Sequence, residues 1–507
     1  MSQLRRNVIA NFVGKGCAVA ANLAFVPLYL KTMGLDASGL VGFNVTLNAA
    51  IQLLDMGLST TLNREMAQLS AEAGRTGEAR SLVRTLEMVY WPISLLIAVG
   101  IAAVAGTVAH HWFRSQHLPP VVIQRAVVMM GVSIALQWPY SLYEGGLLGL
   151  QKQVLVNAIS TVAILLRTLG ALLVLNAFGR TIDIYFGWQI LISAAMTAAV
   201  WVGLWRNLPS TGAQPRFDRA KLTNIRGFAT GVMGSAVAAF AVSQCDRIVL
   251  SRQVRLEIFG CYTVAAQMAG VLLYAATPFF TALFPRFVQM HAAPDQSELR
   301  QLYHRSSQLV SVVILPIAVM LAVYARDLTG VLEAWTGKPL HLANTDRVLA
   351  LLAIGFGANA VMNLPYALQV ASGWTKLALF QNAATLCVQI PLTLWLVARW
   401  GPVGASFVWV LVNAAYFVIM IPIMHTRLLK GELAAWYLRD VGVPAAVAIA
   451  VAGCARLLPV HTETVGATVI RISLIGIATA AACVVSVPAT RDVLRARLRR
   501  PAIQGVE

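Results

Sequence analysis

Apolar runs about twenty residues long recur along this chain, with short polar segments between them. They fall near 8–30, 39–61, 86–109, 121–149, 154–176, 183–205, 227–251, 258–284, 307–325, 346–371, 375–398, 403–425, 438–458 and 466–488. Roughly twenty residues is the length of α-helix that crosses a hydrocarbon layer. The pattern therefore predicts fourteen membrane-spanning helices and an all-α integral membrane protein. The second, eighth and tenth runs carry many polar residues.

Those polar residues are not scattered. Positions three, four, seven and eleven apart share one face of a helix. The first run places Asn11, Lys15 and Asn22 on one face, and the second places Asn44, Asn48, Asp55 and Ser59. The fourth gives Ser133, Gln137, Tyr140 and Glu144, and the fifth gives Ser160, Ala163, Arg167 and Ala171. In the later runs the same spacing picks out Ser235, Ala239, Val242 and Asp246, then Asn359, Asn363 and Tyr366, then Asn382, Thr385, Gln389 and Thr393.

Scattered Ser, Thr and Asn are the ordinary glue of helix bundles in lipid. Whole stripes in many helices instead suggest a shared polar cavity. The stretch "AILLRTLGALLVL" poses this sharply, because Arg167 is its one charge. An arginine at the bilayer centre costs at least about 2.5–3.5 kcal/mol. Lys15 and Arg167 either line a water-filled cavity, form ion pairs with Asp55 or Glu144, or snorkel to the interface. In "SQCDRIVL" Asp246 and Arg247 are adjacent, so they are an interfacial charge pair or a coupling and gating site.

The second half of the chain echoes the first. "WPYSL" at 138–142 is answered by "LPYAL" at 364–368, and Ser133/Gln137/Tyr140 by Asn359/Asn363/Tyr366 at one offset of 226 residues. Two six-helix halves related by an axis along the membrane normal fit this repeat. The expected organisation is a first half over 1–206, a linker over 207–226, a second half over 227–426, and two further helices with a basic tail over 427–507.

Composition agrees with a membrane protein. Of 507 residues 58% are hydrophobic and 12% charged, against roughly 25% charged in soluble domains. The net charge of +18 would raise nucleic-acid binding in a soluble chain, but here the charges sit in short segments between apolar runs. Counted over those segments, 24 Lys and Arg fall on the side that holds both termini and 9 on the other. The positive-inside rule then puts both termini in the cytoplasm. All six cysteines lie within apolar runs and none forms C-x-x-C, so neither a disulfide framework nor a redox motif is indicated. No P-loop occurs, and no loop is long enough for a catalytic domain. "HHWFRSQH" gathers His110, His111 and His117 but lacks zinc-site spacing. Neither a metal, a cofactor nor an enzyme activity is expected.

Several stretches carry a family likeness. "NFVGKGCAVAANLAFVPLYLKTMGLDASGLVGFNVTLNAAIQLLDMGLSTTLNREMA", "LLGLQKQVLVNA", "CDRIVLSR", "GCYTVAAQMA" and "LPYALQVASGWTKLALFQNA" resemble Wzx-type polysaccharide flippases. These belong to the multidrug/oligosaccharidyl-lipid/polysaccharide exporter superfamily. The resemblance implies a bacterial inner-membrane transporter that moves a lipid-linked oligosaccharide by alternating access, for O-antigen or exopolysaccharide assembly. It implies membrane lipids and glycan polymerase machinery as partners and a proton or sodium ion as coupling candidate.

On that reading Lys15 and Arg167 would meet the pyrophosphate, and the Asn, Gln and Tyr stripes the sugar hydroxyls. Asp55, Glu144, Asp246 and Arg247 would serve coupling or gating. A multidrug cation antiporter of the same superfamily and a polytopic glycan polymerase or ligase are the alternatives. The first would favour an acidic cavity, and the second a large outer loop.

The charge bias yields a direct test of topology. A reporter active only in the periplasm, fused after Val487, is expected to stay silent, and activity there would overturn the fourteen-helix arrangement.

Overall fold

The computed structural model of the chain describes residues 28–55, 58–71, 76–208, 237, 239–291, 296–458 and 464–491. Among the described residues helices are joined by short turns, and there is no strand. Among the described residues eleven helices are long and apolar enough to span a membrane, and each coincides with one run of the sequence pattern. The protein is a multi-pass membrane protein.

Helix α1 is Leu35–Gln52, α2 is Leu58–Ala71, and α3 covers Glu78–Trp112. Then come α4, Pro120–Gly149, α5, Gln153–Phe178, and α6, Ile182–Asn207. Residues 239–253 form α7, and Leu256–His291 form α8. The chain continues through α9, Ser297–Val323, the short α10, Ala325–Thr336, and α11, Thr345–Ala371. It ends with α12, Thr375–Trp400, α13, Pro402–Leu428, α14, Leu433–Leu457, and α15, Val465–Ser486. The predicted first span lies outside the described residues but for its last few positions, and the seventh is described only over its second part.

The second predicted span departs from expectation. Instead of one helix over 39–61, α1 ends at Gln52 and a tight turn follows at Leu53–Asp55. The turn lets the Asp55 carboxylate accept hydrogen bonds from three helices.

The helices cluster into two units, residues 1–263 and 264–507. In the first, α4 is the central element, with α2, α3 and α6 packed along it. In the second, α11 packs on α9 and α13, while α14 and α15 pack on each other and on α9. Lipid-facing sides stay apolar: Leu173 is 71% exposed and Leu474 62%.

Prolines inside α3, α4, α9, α11 and α12 each remove a backbone donor, which lipid cannot replace. At Pro139 the orphaned carbonyl is that of Ala135, and the Ser94 hydroxyl of α3 donates to it. One residue on, Thr197 Oγ1 of α6 donates to Leu136 O at 2.8 Å. The echoed proline of "WPYSL" thus has its backbone repaired by neighbouring helices.

Glycines set the closest approaches. A Cβ on Gly260 would lie 2.1 Å from Leu35 O, and one on Gly145 would lie 2.4 Å from Ser59 O. Both neighbours are backbone and cannot swing away. Gly260→Val is therefore expected to cost at least about 1–3 kcal/mol and to lower the yield and unfolding temperature of detergent-solubilised protein. Gly270→Ala, which meets nothing within 4 Å, is the control expected to behave as the parent.

Candidate functional site

Within the first unit, α1, the Leu53–Asp55 turn, α2 and α4 enclose a cavity of about 420 Å3. Asn48, Gln52, Asp55, Ser59 and Asn63 line one side, and Gln137, Trp138, Tyr140, Ser141 and Glu144 the other. Asn48, Asp55, Gln137, Tyr140 and Glu144, picked from two separate stripes, are thereby brought together. Their wall combines carboxamides, hydroxyls, two carboxylates and two aromatic rings.

Asp55 is the most heavily bonded group in it. Its Oδ1 accepts from the Tyr90 hydroxyl at 2.5 Å and from Ser141 Oγ at 3.0 Å. Its Oδ2 accepts from Ser59 Oγ at 2.7 Å and from the Ser59 amide at 3.4 Å. Tyr90 is held in place by stacking on Trp138, with ring centroids 4.4 Å apart. Glu144 accepts from the Tyr140 hydroxyl at 3.3 Å, which also shares a hydrogen bond with Ser160 Oγ at 2.7 Å. Neither carboxylate forms an ion pair with a described Lys or Arg, and the described cavity lining contains neither residue.

Arg167 sits one layer behind this wall. Its Nη2 donates to Gln137 Oε1 and to Ser193 Oγ, each at 3.0 Å, so Gln137 links it to the cavity. No described carboxylate pairs with it, and its buried Nε has no described acceptor. The neighbours on its stripe, Ala163 and Ala171, are buried, while Val162 and Leu169 on the opposite face are exposed.

The backbone here is a π turn, Leu166–Gly170, a local widening that leaves carbonyls outside the regular ladder. Helix α6 catches them, Trp188 Nε1 donating to Leu166 O at 2.8 Å and Gln189 Nε2 to Arg167 O at 3.3 Å. A Cβ on Gly170 would lie 2.5 Å from the Trp188 ring, so glycine is what admits that tryptophan. Gln189 and Ser193 were not among the residues singled out from the sequence. Their four-residue spacing within an apolar run was the available signal.

The other predicted residues fall elsewhere. Asn44 is partly buried on α1, its Oδ1 without a described partner. Asp246 is buried on α7 and accepts from the Tyr262 hydroxyl of α8, and Arg247 is half-buried beside it. In the second unit Asn359 Nδ2 donates to Asn413 Oδ1 at 2.9 Å, Thr385 and Tyr416 share a hydroxyl hydrogen bond of 2.5 Å, and Gln389 is buried. Asn363 and Asn382 are half-buried. Asn11, Lys15 and Asn22 lie outside the described residues.

The second unit also holds a polar cluster that the sequence pattern did not single out. His304 bonds Asp440 through Nδ1 and Glu432 through Nε2, the latter at 3.1 Å, and Gln308 Nε2 donates to Asp440 Oδ1 at 2.8 Å. These bonds tie α9 to α14 and to the turn before it.

A sequence model of the polysaccharide biosynthesis protein family matches residues 36–337, more than half of the chain. The chain belongs to that family. A relative from Shigella flexneri, described as "Putative O-antigen transporter", is 25% identical over 164 residues, which are 32% of this chain and 38% of the relative. The chain thus matches well under half of that relative's length.

Among solved structures, the lipid II flippase MurJ in an inward closed conformation superposes with a TM-score of 0.71 at 12% identity, covering 96% of this chain and 99% of MurJ. A point mutant of the Vibrio cholerae MATE transporter VcmN gives 0.56 at 17% identity, covering 84% and 97%. At such identities these likenesses concern the fold. The fold is one that the chain shares with both of these structures.

The hydroxyl ring around Asp55 gives a measurable expectation. Tyr90→Phe keeps the stacked ring but removes one donor to a carboxylate, worth about 1.5–3 kcal/mol. The unfolding midpoint of the purified protein should fall, and an unchanged midpoint would mean that the bond contributes nothing.

Proposed function

We propose that this member of the family is a flippase for a polyprenyl-pyrophosphate-linked oligosaccharide, working by alternating access in the bacterial inner membrane with both termini cytoplasmic. Two six-helix halves over 1–206 and 227–426 would alternate around the cargo, with the helices after 427 appended. The supporting observation is the cavity wall itself: Asn48, Gln52, Asn63 and Gln137 carry amides, Asp55 and Glu144 carboxylates, and Trp138 and Tyr140 aromatic rings. Sugars present hydroxyls and apolar ring faces, which complement such groups.

The pyrophosphate is assigned to Arg167, together with Lys15. A guanidinium makes charge-assisted bonds to phosphate oxygens, and the Arg167 Nε is buried with no described acceptor. When cargo arrives, Arg167 would exchange Gln137 for a phosphate oxygen, releasing the carboxamide to a sugar hydroxyl. Asp246 with Arg247, and Asp55 with Glu144, are the proposed coupling or gating groups, answering to a proton or sodium ion. Lipids and the glycan polymerase machinery complete the set of partners.

One observation favours a second reading. The carboxylates of Asp55 and Glu144 face the cavity with no Lys or Arg in its described lining, as a multidrug cation antiporter would require. The family match and the bonds already made to Asp55 weigh toward the glycan.

Glycan display by cells that depend on this chain separates the readings. Arg167→Lys should retain part of the flux and Arg167→Gln should lose most of it, at equal amounts of folded protein. Full flux from Arg167→Gln would remove the binding role. Asp246→Asn, if it inserts normally, should transport less or lose its ion dependence. Unchanged flux across several pH values would leave Asp246 as a bonding partner of Tyr262 alone.

A further inference from the structure

The loop that follows α3 ends against two helix starts. Asp36 lies in the first turn of α1, Glu257 in the first turn of α8, and His117 in the loop before α4. Nδ1 of His117 stands 3.3 Å from Asp36 Oδ2 and also contacts Glu257 Oε1. One ligand atom from each of the three lies within 4.8 Å of the other two.

The loop is held from both sides. Ser115 Oγ donates to Asp36 Oδ1 at 3.0 Å and accepts from the Leu118 amide at 2.9 Å. Arg255 Nη1 donates to Gln116 Oε1 at 2.8 Å, and the Leu256 amide to Arg114 O at 2.9 Å. The glycine contact of Gly260 with Leu35 O brings the two helices, and so the two acids, together.

A single acid in a first helical turn needs no special explanation, since the helix dipole favours it. Two such acids converging on one imidazole is a different matter. Their side chains are only 13% and 11% exposed, and no described Lys or Arg pairs with either. A neutral imidazole leaves both negative charges uncompensated, and an imidazolium offsets one.

We propose that Asp36, His117 and Glu257 bind a divalent transition-metal cation, with zinc the best match. Imidazole nitrogen and carboxylate oxygen are both zinc ligands, at about 2.0–2.2 Å each. Donors arranged tetrahedrally at that distance lie roughly 3.3 Å apart; His117 and Asp36 already stand so, whereas the closer contact of His117 with Glu257 has to open to admit the ion. The His117 side chain is 68% exposed, which leaves access for the ion and for a water as fourth ligand. Imidazole in the set selects against magnesium and calcium, which take oxygen ligands. A bound ion would fasten the loop to the starts of α1 and α8 and resist their separation.

The test is zinc binding to the purified full-length protein after treatment with a chelator, which needs no cargo and is independent of the transport reading. Isothermal titration at neutral pH should show about one tight equivalent of Zn2+ per chain, and zinc, unlike magnesium, should raise the unfolding temperature. His117→Ala and Glu257→Gln should each weaken that binding by more than about tenfold, while eluting as folded protein. His117 is exposed, so its variant is not expected to misfold. Absence of saturable zinc binding would overturn the proposal. So would a zinc response equal in His117→Ala.

Discussion

Hydrocarbon offers no partner to a polar group, so one inside the bundle depends on another part of the chain or on what fills a cavity. The structure can be understood from that constraint. Asp55 is surrounded by the hydroxyls of Tyr90, Ser141 and Ser59. The carbonyl freed by Pro139 is met by Ser94, and those of the π turn at Arg167 are met by Trp188 and Gln189. Each repair requires a particular neighbour at a particular depth, and together they fix how α2, α3, α5 and α6 sit on α4.

The same requirement makes a cavity. Helices that turn apolar sides to lipid must turn their polar sides toward one another, and where more polar groups gather than can pair, water or cargo fills the space. In the first unit the surplus lies between α1, α2 and α4, with Arg167 joined to it through Gln137. An amide-rich wall with a cation behind it suits a sugar carried on a phosphate. The chain's membership of the polysaccharide biosynthesis protein family points in the same direction.

Much of this was legible in the sequence because lipid imposes a length and a polarity that can be counted. Eleven apolar runs reappear as helices at nearly the same residues. Gln137, Tyr140 and Glu144, which share one helix face by their spacing, line a cavity within the first unit. Less visible was anything that depends on local backbone departure. The break after Gln52 and the π turn at Leu166–Gly170 were not read from hydropathy, which registers the length and polarity of a run but not its local backbone. Ser193 and Asn413 went unremarked for a related reason, since a lone polar residue in an apolar run acquires meaning only when its partner is known. Asp36, His117 and Glu257 are distant in sequence, and spacing within "HHWFRSQH" could not reveal their meeting.

Transport can be followed in proteoliposomes. With a polyprenyl-pyrophosphate oligosaccharide placed in the inner leaflet, the protein should expose the glycan to an external, membrane-impermeant glycosidase. A glycan that stays protected, while the same vesicles carry a hydrophobic cation across the membrane, would contradict it and establish the antiporter reading instead.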